Sequence, residues 1–282
     1  MHRHELSDAE WAVLSRFLPA SGMAGRPRLD DRLVLNGIVW KLRTGTSWRD
    51  VPERYGSWQT LYTRFRRWAL DGTFSRMLRA IQAERDTAGD IDWLVSVDST
   101  IVRAHQHATG GKRGHSTGTK RGDHALGRSR GGLSTKLHLA CDGRGRPLGF
   151  VLTGGNTNDC TRLEAVMEDI RVPRVGPGRP RTRPDHVVAD KGYSSRKIRA
   201  YLRRRAIPHT IPERTDQALG RLNRGSRGGR PPGFDRRTYR LRNVVERCFN
   251  RLKQWRGLAT RYDKTRESYQ AAVTIASILL WI

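Results

Sequence analysis

The chain carries a large excess of positive charge. Its 282 residues include 54 Lys and Arg against 27 Asp and Glu, a formal net charge of +27 at pH 7. Such an excess attracts polyanions, so nucleic acid is the favoured partner. No stretch approaches the ~20 apolar residues of a membrane span and residues 1–18 carry no signal peptide, so we expect a soluble cytoplasmic protein. The three cysteines lie far apart and indicate neither a disulfide framework nor a thiolate zinc site.

Two helices are predicted at the start of the chain. Ser7 and Glu10 form a capping box, which places a helix start near residue 8. A second helix is predicted over 31–44, because apolar residues recur there with helical spacing and Gly45 follows in the position of a left-handed C-cap.

A third helix is predicted to begin after Ser57, whose side chain can cap it. Its apolar residues face a core, while Arg64 and Arg67 project away from it. Three short helices with a basic last one are typical of a helix-turn-helix module that binds DNA. A plain helical bundle with a charged surface is the alternative.

From about residue 92 the pattern changes to strands alternating with helices. The predicted order is strand 93–97, strand 133–140, strand 148–152, a helix from about 159, strand 186–189, a helix to 202 capped by Ser194 or Ser195, strand 207–211, a Gly/Arg/Pro-rich stretch and helix 239–255. This element order is that of an RNase H-like α/β fold, a mixed sheet with flanking helices.

Two aspartates fall where predicted strands end. Asp98 ends the first strand in VSVDST, and Asp190 ends the fourth in VVADKGYSS. Functional sites are often built at the edge where chain leaves a sheet, and two-metal phosphoryl chemistry needs acidic oxygen ligands that converge there. Such ligands suit Mg²⁺ or Mn²⁺. Taken alone, an aspartate at a strand end can equally form a turn or cap a helix.

Four polar residues share one face of the last predicted helix. Tyr239, Arg242, Glu246 and Lys253 lie within an arc of about 60° when the segment is wound at 100° per residue. The apolar residues on the opposite face are Leu241, Val244, Val245, Cys248, Leu252 and Trp255. Glu246 is therefore a candidate third metal ligand, and its neighbours are candidate phosphate contacts. An ordinary solvated face is the alternative.

These residues match a known family pattern. The spacing Y-x2-R-x3-E-x6-K resembles the signature of bacterial insertion-sequence DDE transposases in the IS-four and IS-five assemblage, on the IS-five-like branch. The sequences DKGY at 190–193, VDSTIVRAHQHA at 97–108 and GTSWRDVPERYGSWQTLYTRFRRW at 45–68 resemble further blocks of that family.

The resemblance implies a DNA transposase with an RNase H-like catalytic domain. Asp98, Asp190 and Glu246 would bind two Mg²⁺ or Mn²⁺ ions, with Tyr239, Arg242 and Lys253 at the terminal DNA phosphates. The expected partners are double-stranded DNA at the element ends, target DNA and a second copy of the chain, with no membrane. Such an enzyme would be cytoplasmic and nucleoid-associated.

The length of the chain and the concentration of tryptophans in its first quarter favour two unequal domains. Residues 1–85 would form a small all-α, helix-turn-helix-like DNA-binding domain, and 86–282 the catalytic domain. Basic glycine-rich loops are expected at about 109–132 and 215–236. They could become ordered on DNA, or be ordinary charged loops.

Three other interpretations remain open. An RNase H-like nuclease or resolvase would share the acidic residues, and a DNA-binding regulator derived from a transposase would share the charge. His105 and His107, with His115 and His124 further on, suggest zinc, but no Cys or acidic partner stands at a matching spacing.

Overall fold

The structure, a computed structural model, describes residues 4–19, 28–109, 124–129 and 131–282. The α-helices of this part are α1 Asp8–Leu14, α2 Asp31–Thr44, α3 Trp58–Leu70, α4 Thr73–Thr87, α5 Leu163–Asp169, α6 Arg196–Arg204, α7 Thr215–Leu222, α8 Arg236–Arg240, α9 Asn243–Lys253, α10 Arg256–Ala259 and α11 Arg266–Trp281. The strands are β1 Leu94–Ala104, β2 Gly127–Ser129, β3 Gly132–Cys141, β4 Pro147–Gly154, β5 His186–Ala189, β6 His209–Thr210 and β7 Thr260–Arg261.

The first two predicted helices are confirmed with their caps. In α1, Ser7 Oγ accepts from the Glu10 amide, and the Glu10 carboxylate accepts from the Ser7 amide. Helix α2 ends at Gly45, whose φ of 72° is left-handed and whose N–H donates to Lys41 O. A Cβ at Gly45 would lie 2.9 Å from Arg256 Cβ, so glycine serves both the turn and the close approach of α10.

Helix α3 is also confirmed, with Ser57 as its N-cap. The sequence did not predict α4, which follows after a two-residue turn and packs against the C-terminal helix α11. The core of these N-terminal helices is continuous with the core under the sheet. The division at residue 85 therefore separates segments that share one hydrophobic core, and it stays a prediction.

The sheet has the strand order of an RNase H-like fold. Its central path runs β4, β3, β1, β5, β6, with β2 pairing β3 and β7 pairing β1. The pairs β1–β3 and β3–β4 are antiparallel, whereas β1–β5 and β5–β6 are parallel. Helices α5 and α9 both pack on this sheet. The predicted α/β class is confirmed.

Two boundaries differ from the prediction. Asp98 does not end β1: the strand continues to Ala104, because β3 pairs with it from Ser96 to Arg103. The last predicted helix is interrupted at Leu241 and Arg242, giving α8 and α9. Leu241 consequently has 53% of its surface exposed instead of joining the apolar face.

The two basic segments have different outcomes. The 215–236 segment is not a plain loop, since it contains α7 and a short 3-10 helix over Gly225–Gly228. Of the 109–132 segment, residues 110–123 and 130 lie outside the described residues. In the described part of the chain, no helix is both long and apolar enough to cross a bilayer.

Candidate active site

Asp98 lies in the middle of β1 and is largely buried. Its Oδ1 accepts from the Ser99 amide at 2.7 Å, and its Oδ2 accepts from Arg242 Nη1 at 2.6 Å. Burial raises the pKa of Asp98 to about 6, and the charges of Asp190 and Glu246 act in the same direction against Ser99 and Arg242. Asp98 is thus a carboxylate whose negative charge is incompletely compensated.

Asp190 is brought beside Asp98 by the parallel pairing of β5 with β1. Val97 of β1 is the register partner of Ala189 of β5. The residue that follows each of them is an aspartate, so Asp98 and Asp190 lie at the same level of the sheet. The Asp190 carboxylate accepts from the Gly192 amide at 2.8 Å, which fixes it at the turn that follows β5. The sequence prediction for the position of Asp190 is confirmed.

Glu246 enters the site from α9. Arg242 Nη1 lies 2.6 Å from Asp98 Oδ2 and 3.5 Å from Glu246 Oε1, so those two oxygens are at most about 6 Å apart. The buried face of α9, which includes Val245 and Leu252, packs on the core and turns Glu246 outward. One guanidinium therefore contacts both Asp98 and Glu246, and Asp190 acts on it electrostatically from the turn after β5.

The other residues of the predicted stripe lie beside the same strand. The Lys253 ammonium donates to Thr100 Oγ1 at 2.7 Å, two residues beyond Asp98. The ring of Tyr239 lies 6.0 Å from the guanidinium carbon of Arg242, despite the break between α8 and α9. Tyr239, Arg242, Glu246 and Lys253 thus form one polar edge above β1.

The acidic residues have the chemistry that hard cations prefer, although their carboxylates do not all converge on one metal position in this structure. Their carboxylate oxygens are the donors that Mg²⁺ and Mn²⁺ prefer, and the raised pKa of Asp98 marks a place where positive charge is favoured. Within residues 4–19, 28–109, 124–129 and 131–282, no three His, Cys, Asp or Glu side chains are arranged to hold one metal ion. This also removes support for zinc at His105 and His107, whose rings pack together at 4.5 Å. His115 lies outside the described residues.

The two basic residues predicted on α3 are placed differently. The Arg64 guanidinium bonds Asp31 at 2.6 Å and keeps only 10% of its side chain exposed, so it does not project away as expected. Arg67 is exposed on the same helix. The DNA-binding role of both residues stays a prediction.

A polar network that the sequence did not predict lies next to Asp98. Ser99 Oγ donates to Asp159 Oδ1 at 2.7 Å, and Lys136 Nζ lies 3.1 Å from the same oxygen. The His138 ring, with 1% of its side chain exposed, has Nδ1 at 3.6 Å. Asp159 begins a 3-10 turn there, and Asn158 is the N-cap of that turn. In the sequence, the spacing of Lys136 and His138 by two residues on one predicted strand indicated that both side chains lie on the same face of the sheet.

Two models of known protein families match the chain. A family model described as "Putative transposase of IS4/5 family" matches residues 6–78, and one described as "Transposase DDE domain" matches residues 90–281.

Two curated relatives carry transposase names. One from Burkholderia cepacia, "Putative transposase for insertion sequence element IS402", is 33% identical over 57% of this chain and 68% of its own length. One from Brucella ovis, "Putative transposase for insertion sequence element IS6501", is 27% identical over 53% of this chain and 99% of its own length. The solved structure "Mos1 transposase paired-end complex with left transposon end" aligns over 82% of this chain and 80% of that one, at 13% identity and a TM-score of 0.26. The two family matches together span almost all of the chain, which belongs to the DDE transposases of bacterial insertion sequences.

Proposed function

We propose that this transposase binds the terminal inverted repeats of its own element, hydrolyses the DNA at their boundary and joins the freed 3′ ends to target DNA. The observation that carries the proposal is the convergence of three acidic residues: Asp190 follows β5 beside Asp98, and Arg242 contacts both Asp98 and Glu246. These acidic residues come from a central strand, the turn after its parallel neighbour and a helix packed on the sheet.

The three carboxylates are the proposed ligands of two divalent ions, Mg²⁺ or Mn²⁺. DDE transposases as a family use divalent metal ions. Bound there, such ions would activate water or a 3′-hydroxyl and stabilise the leaving oxygen. The protein supplies the positions of the ligands: Ser99 holds Asp98 through its amide, and Gly192 holds Asp190.

Tyr239, Arg242 and Lys253 are the proposed contacts to the terminal phosphates. Arg242 and Lys253 lie along β1 at the level of Asp98 and of Thr100. A planar guanidinium and a flexible ammonium are both suited to phosphate oxygens. In the protein alone, Arg242 balances the charge of Asp98.

Residues 1–85 are the proposed reader of the element end, with the exposed Arg67 of α3 toward DNA and Arg64 held by Asp31 beside it. Because two ends must be held for joining, the active assembly is proposed to be a homodimer on double-stranded DNA. The formal charge of +27 suits the binding of both the element end and the target.

The test is cleavage of a labelled duplex that carries the element's own inverted repeat, with Mg²⁺ present. Asp98→Asn, Asp190→Asn and Glu246→Gln should each abolish strand cleavage while leaving binding of the end nearly intact. Asp216→Asn is the matched control, because Asp216 is an exposed residue on α7 paired only with Arg214. Full nicking by all three active-site variants would refute the assignment. Equal cleavage of unrelated branched DNA would instead favour the nuclease or resolvase.

A further inference from the structure

The structure contains a second polar and aromatic cavity, away from the acidic residues. It has a volume of about 940 Å³ and lies between α2, α3, the end of β1 and the start of α11. That volume is within the range of pockets that bury a small ligand, about 300–1,000 Å³. His105, which lines it, is seven residues beyond Asp98, roughly 23 Å along an extended chain.

The walls of the cavity are unusually aromatic. The residues that supply rings are Trp48, Trp58, Tyr62, His105, His107 and Tyr262. Tyr62 and Tyr262 keep 41% and 37% of their surfaces exposed, and His105 packs on Tyr262 with ring centres 4.8 Å apart. Exposed aromatic faces that line a basic groove are what unpaired bases stack on.

Lys41 also lines this cavity, and it is 97% buried, with 3% of its surface exposed. Among the residues the structure describes, no carboxylate or hydrogen-bond acceptor pairs with its ammonium. The ammonium nitrogen lies 5.3 Å from the centre of the Trp48 ring. An ammonium at a cavity wall with no carboxylate beside it favours an anionic partner. An anionic ligand entering the cavity would supply the missing partner.

The N-terminal end of α11 adds to this positive field. Helix α11 has 16 residues, begins after the cap Thr265, and follows the exposed Lys264, and both residues line the cavity. A helix N-terminus favours a phosphate. Asp263 lines the cavity as well, and its Oδ2 has no hydrogen-bond partner among the described atoms. A carboxylate disfavours phosphate but accepts from the amino group of a base such as cytosine.

We propose that this cavity binds an unpaired nucleotide of DNA, with its base stacked on Tyr62 and Tyr262 and its phosphate at Lys41. The inference rests on the proposed function, because it assigns a second contact for the DNA that the active site cuts. Lys253, held at Thr100 between Asp98 and His105, places a further cation along β1 between the two sites. The nucleotide bound here is therefore several positions from the reacting phosphate.

The test uses the full chain and two fluorescently labelled probes, a single-stranded dC 8-mer and a 20-base-pair duplex, with affinity measured against salt. Lys41→Met should weaken 8-mer binding about tenfold to a hundredfold. It should also reduce the log-log salt slope by about 0.7, the value for one phosphate contact on a single strand. Tyr262→Ala should weaken 8-mer binding about 5- to 150-fold with the slope unchanged.

Two controls separate binding from folding. Lys197→Met removes the same side chain from an exposed position on α6, 83% exposed, and should leave 8-mer binding at the wild-type value. The Tm of Lys41→Met should stay close to that of the wild type, because methionine keeps most of the buried apolar stem of the lysine. Tyr262 is already partly exposed, so Tyr262→Ala keeps the test valid if the lysine variant folds poorly.

The failures of the two proposals can be told apart. If the wild type binds the duplex but Lys41→Met and Tyr262→Ala bind the 8-mer as Lys197→Met does, the nucleotide cavity is refuted and the proposed function stands. If the wild type binds neither probe, the proposed function itself is refuted.

Discussion

Asp159→Asn tests whether the network beside Asp98 positions the active site. Asn keeps an acceptor for Ser99 Oγ but removes the negative charge that faces Lys136, whose side chain is only 12% exposed. Leaving a nearly buried ammonium without its ion pair costs about 1–3 kcal/mol. Because Asp159 itself is 35% exposed, solvent screening reduces this to about 1–2 kcal/mol. At about 2–4 °C per kcal/mol for a chain of this size, the Tm should fall by about 2–8 °C.

The effect on cleavage should exceed the effect on folding. Ser99 donates its amide to Asp98 and its hydroxyl to Asp159, so a looser Ser99 moves the carboxylate that it holds. Loss of a residue that orients a metal ligand commonly costs 10- to 100-fold in activity. The measurement is the single-turnover cleavage rate of the element end in Mg²⁺, well below the lowered Tm, with end binding measured in parallel.

Two variants make this reasoning refutable. Asp216→Asn removes an exposed carboxylate and should shift neither the Tm nor the cleavage rate. Adding Lys136→Met to Asp159→Asn should recover part of the lost stability, because the ammonium that lost its ion pair is removed together with its bond to Thr157 O, but it should not recover cleavage. If Asp159→Asn cleaves at the wild-type rate and melts as Asp216→Asn does, the network has no positioning role.

Two further predictions concern charge elsewhere in the chain. Burial lowers the pKa of His138 to about 4 against an ordinary value of 6.5, so unfolding takes up a proton between these values. Stability is full above pH 6.5 and falls toward pH 4 by up to about 3 kcal/mol. The difference in Tm between pH 7 and 4.5 should be smaller in His138→Gln than in the wild type, and an equal difference would contradict the assignment. On α3, Arg67→Ala should weaken duplex binding and reduce the salt slope by about 0.9 without changing the Tm. Arg64→Ala should chiefly lower the Tm by breaking the ion pair with Asp31; the reverse pattern would mean that Arg64 is the residue facing DNA.

The sequence predicted most of the local structure near the site. Capping residues such as Ser7 and Ser57 indicate directly where a helix begins, because each accepts from a backbone amide that would otherwise lack a partner. Asp190 was placed correctly because β5 is short, apolar and followed at once by a turn. These signals depend on neighbours within a few residues, which is the range a sequence pattern reports.

The errors came from contacts that are distant in sequence. Asp98 was expected at a strand end, since polar residues follow it, but pairing with β3 keeps the chain extended to Ala104. The calculation of side-chain directions at 100° per residue assumed one continuous helix from Tyr239 to Glu246. It could not detect the turn at Leu241. Asp159 bonds a residue 60 positions earlier, and no local pattern reports such a partner.

The turn at Leu241 and Arg242 explains why the polar residues still converge. With the helix interrupted there, Arg242 starts α9 as its N-cap residue, and its side chain reaches both Asp98 and Glu246. Glu246 is then in the first turn of α9, where a negative charge is favoured by the helix dipole. The amides of that first turn and the Arg242 guanidinium 3.5 Å away both stabilise its negative charge. The break thus places Arg242 against Asp98 while Glu246 keeps 49% of its side chain exposed.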